Sequence, residues 1–272
     1  MTVLQALILG VVQGFTEFLP VSSSGHLVIV PQIFNFSQPP VGFDVLVHLA
    51  TLVAVVGYFI GDIAQIVRSV LAPRTMSHQD VNYWRRILAW LIVGSIPAAI
   101  AGFLFGDFFE SLFSQTLGVG ICLVMTSLLL WGSDAALGRI NKRPLDLQKM
   151  RGLDALIVGC FQALAIAPGL SRSGATIAGG VFLGFDRAAA ARISFLLSIP
   201  AILGAFLFQL KDASGAFAGA SEGAYLAGAL AAAVSGFIAI FLLMRYLKRH
   251  RLRVFAVYTL IAGVIVVILS LM

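Results

Sequence analysis

Charged residues are scarce in this sequence. Lys and Arg number 18 and Asp and Glu number 12, so 11% of the 272 residues are charged, against about 25% in an ordinary soluble domain. Apolar residues make up 60%, and the mean hydropathy is +0.99. Because a sizeable part of any folded surface faces water, this composition excludes a cytosolic enzyme and a disordered chain. It indicates a polytopic membrane protein.

Cysteine is scarce as well, since the sequence holds only Cys122 and Cys160. Both lie in apolar stretches, so we expect buried thiols rather than a disulfide or a metal pair, and a secreted disulfide scaffold is excluded. The first Lys or Arg is Arg68, so the basic region of a signal peptide is missing. We therefore expect the N-terminal apolar stretch to stay in the mature protein.

Long apolar runs are what the sequence has instead. Six runs without Asp, Glu, Lys or Arg are each close to the ~20 residues that a helix needs to cross a bilayer. They are residues 45–61, 87–106, 111–133, 193–210, 223–244 and 254–272. The sequence therefore predicts six transmembrane helices in an all-α protein.

Two further apolar regions, residues 3–34 and 155–184, are each interrupted by a loop rich in Gly, Ser and Pro. The loops are residues 20–26 (PVSSSGH) and 168–174 (PGLSRSG). Each flanking segment is short for a span, which favours two re-entrant helix-loop-helix hairpins. Eight short crossings are the alternative, and they would leave the loops on the same sides of the membrane.

The basic residues are distributed unevenly over the loops. Sixteen of the 18 fall in residues 62–86, 134–154, 185–192 and 245–253, which this topology puts on one side. The other side receives both termini, 107–110 and 211–222, and holds only Lys211. The positive-inside rule then predicts that the basic loops are cytoplasmic and both termini outside. The net charge of +6 is explained by these basic cytoplasmic loops. We therefore expect no nucleic-acid partner.

The two interrupted regions also resemble each other. A shift of 149 positions aligns them without gaps, and the identical pairs include Ala6/Ala155, Leu7/Leu156, Ile8/Ile157, Gly10/Gly159, Gln13/Gln162, Ser22/Ser171, Ser24/Ser173 and Gly25/Gly174. We interpret the chain as one membrane domain of two repeat units, about 1–137 and 150–272. Each unit has one hairpin and three spans, so the second is inverted, and inverted repeats bring their broken helices together.

Two charged residues, Glu17 and Arg172, fall inside the hairpins. A charge in the membrane costs at least about 2.5–3.5 kcal/mol and usually marks function or a paired partner. The candidate site collects the polar and glycine residues of both tips: Gln13, Glu17, Ser22, Ser23, Ser24, Gly25, His26, Ser171, Arg172, Ser173, Gly174 and Thr176. Gln13 supports Glu17 from the same helical face.

These residue types suit a phosphate group. Arg172 supplies a planar fork of donors, the serines and Thr176 add hydroxyls, and Gly25 and Gly174 precede apolar helices expected at 27–34 and 175–184, whose first N–H groups favour anions. His26 is a candidate nucleophile or acid/base, with Glu17 orienting or deprotonating it. Ser23 is the rival nucleophile, and water activated by Glu17 is a third option.

Simpler interpretations stay open for the same residues. Glu17 and Arg172 could form a purely structural ion pair, His26 could merely begin a helix, and Ser22 and Ser24 could only cap helices. His48 and Asp44, four residues apart, we expect to be interfacial rather than catalytic.

The motifs QGFTEFLPVSSSGH (13–26) and PGLSRSGAT (168–176) resemble the two signatures of the bacitracin-resistance type undecaprenyl pyrophosphate phosphatases. The resemblance continues in FDVLVHLATL (43–52) and SFLLSIPAILG (194–204). By this resemblance the protein is identified as a phosphatase. It would hydrolyse undecaprenyl pyrophosphate to undecaprenyl phosphate and inorganic phosphate, regenerating the lipid carrier for peptidoglycan and conferring bacitracin resistance.

The resemblance further implies a site toward the outer face of the bacterial cytoplasmic (inner) membrane and a divalent cation, Mg²⁺ or Ca²⁺, which Glu17 could contact. Many members have Glu where this chain has Gln13, so Glu17 becomes the main candidate for a metal ligand or general base.

The membrane lipids and the lipid substrate are the expected partners, and a homodimer is left open. The alternative function is a lipid flippase or secondary transporter built on inverted repeats. A phosphatidic-acid-phosphatase site is rejected, because Arg172 is followed by no histidine until His250.

Overall fold

The computed structural model describes residues 1–112, 115–140, 145, 147–209 and 221–271. Within these ranges the chain is helical and forms no β-strand. The helices are α1 Val3–Phe18, α2 Ser23–Ile33, α3 Val41–Tyr58, α4 Ile60–Leu71, α5 His78–Leu112, α6 Thr116–Ile140, α7 Gly152–Leu164, α8 Arg172–Phe182, α9 Arg187–Gln209, α10 Glu222–Leu247 and α11 Arg253–Leu271.

Six of the described helices, α3, α5, α6, α9, α10 and α11, are long and apolar enough to cross a membrane, which confirms the predicted number of spans. Their ends extend past the charge-free runs: α5 begins at His78 and α9 at Arg187. A helix that leaves the apolar layer can continue into charged sequence, because its backbone bonds are satisfied within the helix. The charge-free run therefore gives only the part of each helix that has to lie in lipid.

Helix α4 is an element that the sequence analysis did not predict. It directly follows α3, begins in the last two residues of the charge-free run 45–61 and continues into the basic segment 62–86. Leu71 and Val70 on it are exposed, whereas Ile66 is buried. The apolar residues of this segment have helical spacing, but its charges lead a search for charge-free runs to count it as a loop.

The four basic segments meet at one end of the bundle. Asp62 accepts two hydrogen bonds from Arg192, at 2.7 and 2.8 Å. Asp134 pairs with Arg187 at 2.5 Å and accepts the backbone N–H of Leu252 at 2.7 Å. These contacts join segments 62–86, 134–154, 185–192 and 245–253, so the structure groups them as the charge count did. Lys142, Arg143 and Lys211 lie outside the described residues.

The first helix of each predicted repeat unit, α1 or α7, crosses a long helix of the other unit at a pair of glycines. Gly10 of α1 lies against the backbone of Gly228 in α10, and Gly159 of α7 lies against that of Gly94 in α5. A Cβ at Gly10 or Gly159 would collide with the facing carbonyl. Small residues that let backbones approach are typical of helix packing in membranes. Residues 10 and 159 are one of the identical pairs of the 149-residue shift.

Helices α2 and α8 occupy unequal places. Nine residues of α8 are buried, against three of α2. Helix α8 packs against α6, α7 and α9, whereas α2 contacts α1 and, more lightly, α6. The second hairpin is therefore central, and the first lies nearer the surface of the bundle.

The cysteines are free thiols, as predicted. The expectation that both are buried is wrong, because Cys160 is exposed and Cys122 only partly covered. In a membrane bundle an apolar residue can face lipid, so an apolar stretch does not imply burial within the protein.

Candidate phosphate site at the helix breaks

Each of the two Gly-, Ser- and Pro-rich loops separates two short helices, α1 from α2 and α7 from α8. Helix α2 starts at Ser23 with Ser22 as its N-cap, and α8 starts at Arg172 with Ser171 as its N-cap. The expected starts after Gly25 and Gly174 are therefore wrong: both glycines lie in the first turn. Their N–H groups donate to the Ser22 and Ser171 hydroxyls at 3.3 and 3.0 Å.

This capping removes two of the backbone donors that the sequence assigned to an anion. It also shows that Ser22 and Ser171 serve as helix caps. Ser22 has a φ of +72°, a conformation that a non-glycine residue adopts at a cost of about 1–3 kcal/mol and that is concentrated at functional sites.

The tips of the two hairpins touch each other, as the repeat predicted. The Ser24 hydroxyl accepts the Gly169 N–H at 3.2 Å, and the Ser173 hydroxyl donates to the Leu19 carbonyl at 3.1 Å. Ser24 and Ser173 are related by the 149-residue shift, so each hairpin gives the equivalent serine to the other hairpin's loop. These two bonds fix the tips against one another.

Glu17 is the centre of the polar cluster. Its Oε1 accepts from Arg172 Nη2 at 2.5 Å, and its Oε2 accepts from the Ser23 hydroxyl at 2.6 Å and Gln13 Nε2 at 3.0 Å. The Glu17 side chain is only 6% exposed. A buried carboxylate needs a charged partner and several hydrogen bonds, and here residues of α1, α2 and α8 provide them together.

The guanidinium of Arg172 has more hydrogen-bond donors than its contact with Glu17 uses. Within the described part of the chain, its guanidinium donates to Glu17 and to no other side chain or carbonyl. The side chain is 18% exposed, so it is not completely enclosed by the protein. A guanidinium offers a planar set of donors, and one edge bonded to a carboxylate leaves the rest for phosphate oxygens.

His26 does not join this cluster. Its Nδ1–H donates to the Ser22 carbonyl at 2.7 Å, and its Nε2 lies 2.6 Å from the hydroxyl of Tyr258 on α11. The two rings are stacked, with centroids 5.7 Å apart. Among the described residues, Glu17 makes no hydrogen bond with His26, so the expected pairing of the two is not seen.

Thr176 also lies apart from Glu17. It is fully buried, and its hydroxyl bonds with the Arg172 carbonyl at 2.7 Å and the Ser194 hydroxyl at 2.6 Å. These contacts join α8 to α9 and thereby hold the helix that begins with Arg172.

His48 is the residue of the cluster that sequence reasoning missed. Its Nε2 lies 3.8 Å from Glu17 Oε2, although the sequence favoured an interfacial place for it. The side chain is 37% exposed. The available signal was its position in the segment 43–52, in the first span after the Glu17 hairpin, but a single histidine in a span does not show which helix it faces.

The donor set does not fit a divalent cation held by the protein alone. No group of three His, Cys, Asp or Glu residues comes together in the described ranges. The cluster has one carboxylate, Glu17, and both its oxygens already bind Arg172, Ser23 and Gln13. A hard cation prefers several oxygen ligands without a cationic neighbour.

A cavity of about 610 Å³ opens at the end of the bundle that carries the basic segments. Asp62, Arg192 and Lys248 are among the residues that line it. None of the residues around Glu17 does, so it is separate from the candidate site.

Comparison with known proteins agrees with these observations. Residues 6–265 match the family model described as bacitracin resistance protein BacA. A relative from Methanosphaera stadtmanae, named undecaprenyl-diphosphatase, is 43% identical over 98% of both chains. Relatives with the same name from Moorella thermoacetica and Alkaliphilus metalliredigens are 43% and 40% identical, over 98% and 100% of this chain and 97% and 100% of theirs.

Proposed function

The chain belongs to the bacitracin resistance protein BacA family, and on this premise we propose that it is an undecaprenyl-diphosphatase. It hydrolyses undecaprenyl diphosphate to undecaprenyl phosphate and inorganic phosphate, so it returns the lipid carrier to peptidoglycan synthesis. The observation that carries the proposal is the buried cluster in which Glu17 holds Arg172 and Ser23 on its two oxygens. No observation favours the alternative function, a flippase or secondary transporter.

Arg172 binds the diphosphate. Its free N–H groups take phosphate oxygens, and its bond to Glu17 holds the guanidinium plane in place. Phosphoryl transfer depends mainly on positioning and on stabilising charge at the transferring group. A fixed arginine in a poorly solvated site supplies both, because its charge acts in a low dielectric.

Ser23 is the nucleophile that the geometry supports best. Its hydroxyl donates to Glu17 Oε2 at 2.6 Å, within the range for direct proton transfer to a general base. Since Glu17 also holds Arg172, a phosphoryl group bound by Arg172 lies beside the Ser23 hydroxyl. His26 is less suited, because both its ring nitrogens already have partners.

The reaction then runs in two steps. Ser23 Oγ bonds to the terminal phosphorus, its proton passes to Glu17, and the bond to the bridging oxygen breaks to release undecaprenyl phosphate. In the second step the oxygen of a water molecule bonds to the phosphorus while Glu17, again a carboxylate, takes a proton from that water. The bond from phosphorus to Ser23 Oγ breaks, Glu17 returns the proton to Ser23 Oγ, and inorganic phosphate is released. The divalent cation that the family resemblance implies stays an expectation, and no step is derived through it.

A trapping experiment tests this assignment. Purified protein incubated with a prenyl diphosphate labelled in its terminal phosphate, then quenched in acid and in base, is expected to carry the label on Ser23, because a phosphoserine survives acid. Label that survives only in base would place the phosphate on His26. Turnover without any trapped label at early times would favour direct attack by water activated by Glu17.

The repeat units and the hairpins belong to the same proposal. We propose that residues 1–137 and 150–272 are inverted repeats with re-entrant hairpins. The paired crossings of Gly10 with Gly228 and Gly159 with Gly94 support this, as do the reciprocal bonds of Ser24 and Ser173. A homodimer stays a prediction.

The bundle is a multi-pass membrane protein, and we propose that it lies in the inner membrane with both termini and the opening of the site outside. The joined basic segments support a cytoplasmic position for that end of the bundle. Single cysteines placed at Arg74 and at Asp107, in a background without Cys122 and Cys160, are expected to react with an impermeant reagent from the inside and the outside respectively. The opposite pattern would reverse the topology.

A further inference from the structure

His48 is held in one orientation by its own helix. Its Nδ1 lies 2.7 Å from the Asp44 carbonyl oxygen, and a carbonyl can only accept, so Nδ1 carries the hydrogen. The other nitrogen, Nε2, is therefore the one that can gain or lose a proton. Helix α3 turns this nitrogen toward the cluster.

Nε2 faces the oxygen at which the proposed chemistry takes place. It lies 3.8 Å from Glu17 Oε2, and the same oxygen accepts the Ser23 hydroxyl at 2.6 Å. Ser23, Glu17 and His48 thus form a series in which each member can pass a proton to the next. The distance from Nε2 to Oε2 exceeds a hydrogen bond and requires a small side-chain movement or one bridging water.

The other charged and titratable groups near His48 are few. Arg172 lies behind Glu17, on its other oxygen. Asp44 precedes His48 by one helical turn on α3, and Tyr225 of α10 packs edge-on against Phe43. Helices α9 and α4 bring Arg192 and Asp62 near the opposite end of α3, where the two pair with each other.

Glu17 needs an outlet for the proton that it accepts. Its side chain is 6% exposed and is covered by Arg172 and Gln13, neither of which can accept a proton. His48 is 37% exposed, and it is the one neighbour of Glu17 in the described ranges that can both take up a proton and reach water. Glu17 has to be a carboxylate again before it can take a proton from the water that attacks the phosphoserine, and such a group lets Glu17 lose the first proton.

We propose that His48 takes the proton of Ser23 from Glu17 and passes it to solvent. This inference rests on the function proposed above. The Oε2–H bond of Glu17 breaks as the Nε2–H bond of His48 forms, and the imidazolium then gives the same proton to water, so no other reactant is needed. His48 does not touch the phosphate; it is a proton-relay residue that acts through Glu17.

The test compares the pH profiles of wild type and His48→Gln with a prenyl diphosphate as substrate. Gln can still donate to the Asp44 carbonyl but cannot titrate. We expect kcat to fall about 10²-fold with KM nearly unchanged. On the acid side, only the fall of the rate caused by protonation of Glu17 should remain. In His48→Ala, added imidazole is expected to restore kcat about tenfold, because it can occupy the space left and accept the proton.

Two controls separate this inference from the proposed function. His78→Gln, at the exposed start of α5, should keep the wild-type profile, and imidazole should not restore Ser23→Ala. If His48→Gln keeps the wild-type rate and pH profile while Ser23→Ala is inactive, the relay is wrong and the phosphatase assignment stands. A folded His48→Ala that imidazole does not restore also overturns the relay. Wild type that releases no phosphate would overturn the function itself.

Discussion

Replacing Arg172 with alanine is expected to lower kcat/KM for diphosphate hydrolysis by about 10³- to 10⁵-fold, the range seen when an arginine that stabilises a transferring phosphoryl group is lost. Lysine should recover little of this. It keeps the charge, but a single ammonium cannot bond Glu17 Oε1 and also present a planar set of donors to phosphate. Phosphate release from a purified prenyl diphosphate measures the effect.

Arg192→Lys is the matched control for this change. Arg192 makes a two-bond pair with Asp62 at the basic end of the bundle, away from Glu17, and its replacement should leave kcat/KM within a few-fold. Thermal unfolding of each variant shows whether a loss of activity is a loss of folding. If Arg172→Ala is folded and retains a tenth of the wild-type activity, the catalytic role of Arg172 is wrong and the Glu17–Arg172 pair is only structural.

Glu17→Gln should lower kcat by about 10²- to 10⁴-fold, because an amide cannot accept the proton of Ser23. This variant also leaves Arg172 without its anionic partner, and breaking a buried ion pair typically costs about 3–5 kcal/mol of stability. The rate must therefore be compared at a temperature at which unfolding curves show the variant to be folded.

Glu17→Asp separates the two roles of the carboxylate. It keeps the charge that Arg172 requires, but it is one methylene shorter and draws the oxygens back from Ser23. A charge-only role predicts nearly wild-type kcat with a folded protein, whereas proton transfer over the 2.6 Å bond predicts a loss close to that of Glu17→Gln. Asp107→Asn, an exposed carboxylate at the end of α5, provides the control for removing a negative charge.

Much of the fold was predictable because lipid imposes a simple rule on sequence. A span has to be apolar over about 20 residues and satisfy its backbone internally, so six helices could be located from charge-free runs alone. The rule does not extend beyond the lipid. Helix α4 was missed for that reason, and the charge-free run 87–106 covers only part of α5, which begins at His78.

The sequence predicts which residues belong to the site better than it predicts which of them contact one another. The two motifs named Glu17, Ser23 and Arg172, and the structure joins them at 2.5 and 2.6 Å. The motif also placed His26 beside them in sequence, yet the turn at Ser22 directs that ring to Tyr258. His48 takes the place next to Glu17 from another helix.

The sequence by itself determined that the chain is a membrane protein, how many of its helices can cross the membrane, and which residues are chemically suited to bind phosphate. Those properties follow from composition and from charges whose burial is costly wherever the chain folds. Only the tertiary structure decided which histidine faces Glu17, which serines cap helices and which one holds the carboxylate. Such contacts depend on the rotation and crossing of helices far apart in sequence, and close approaches such as Gly10 against Gly228 set that geometry.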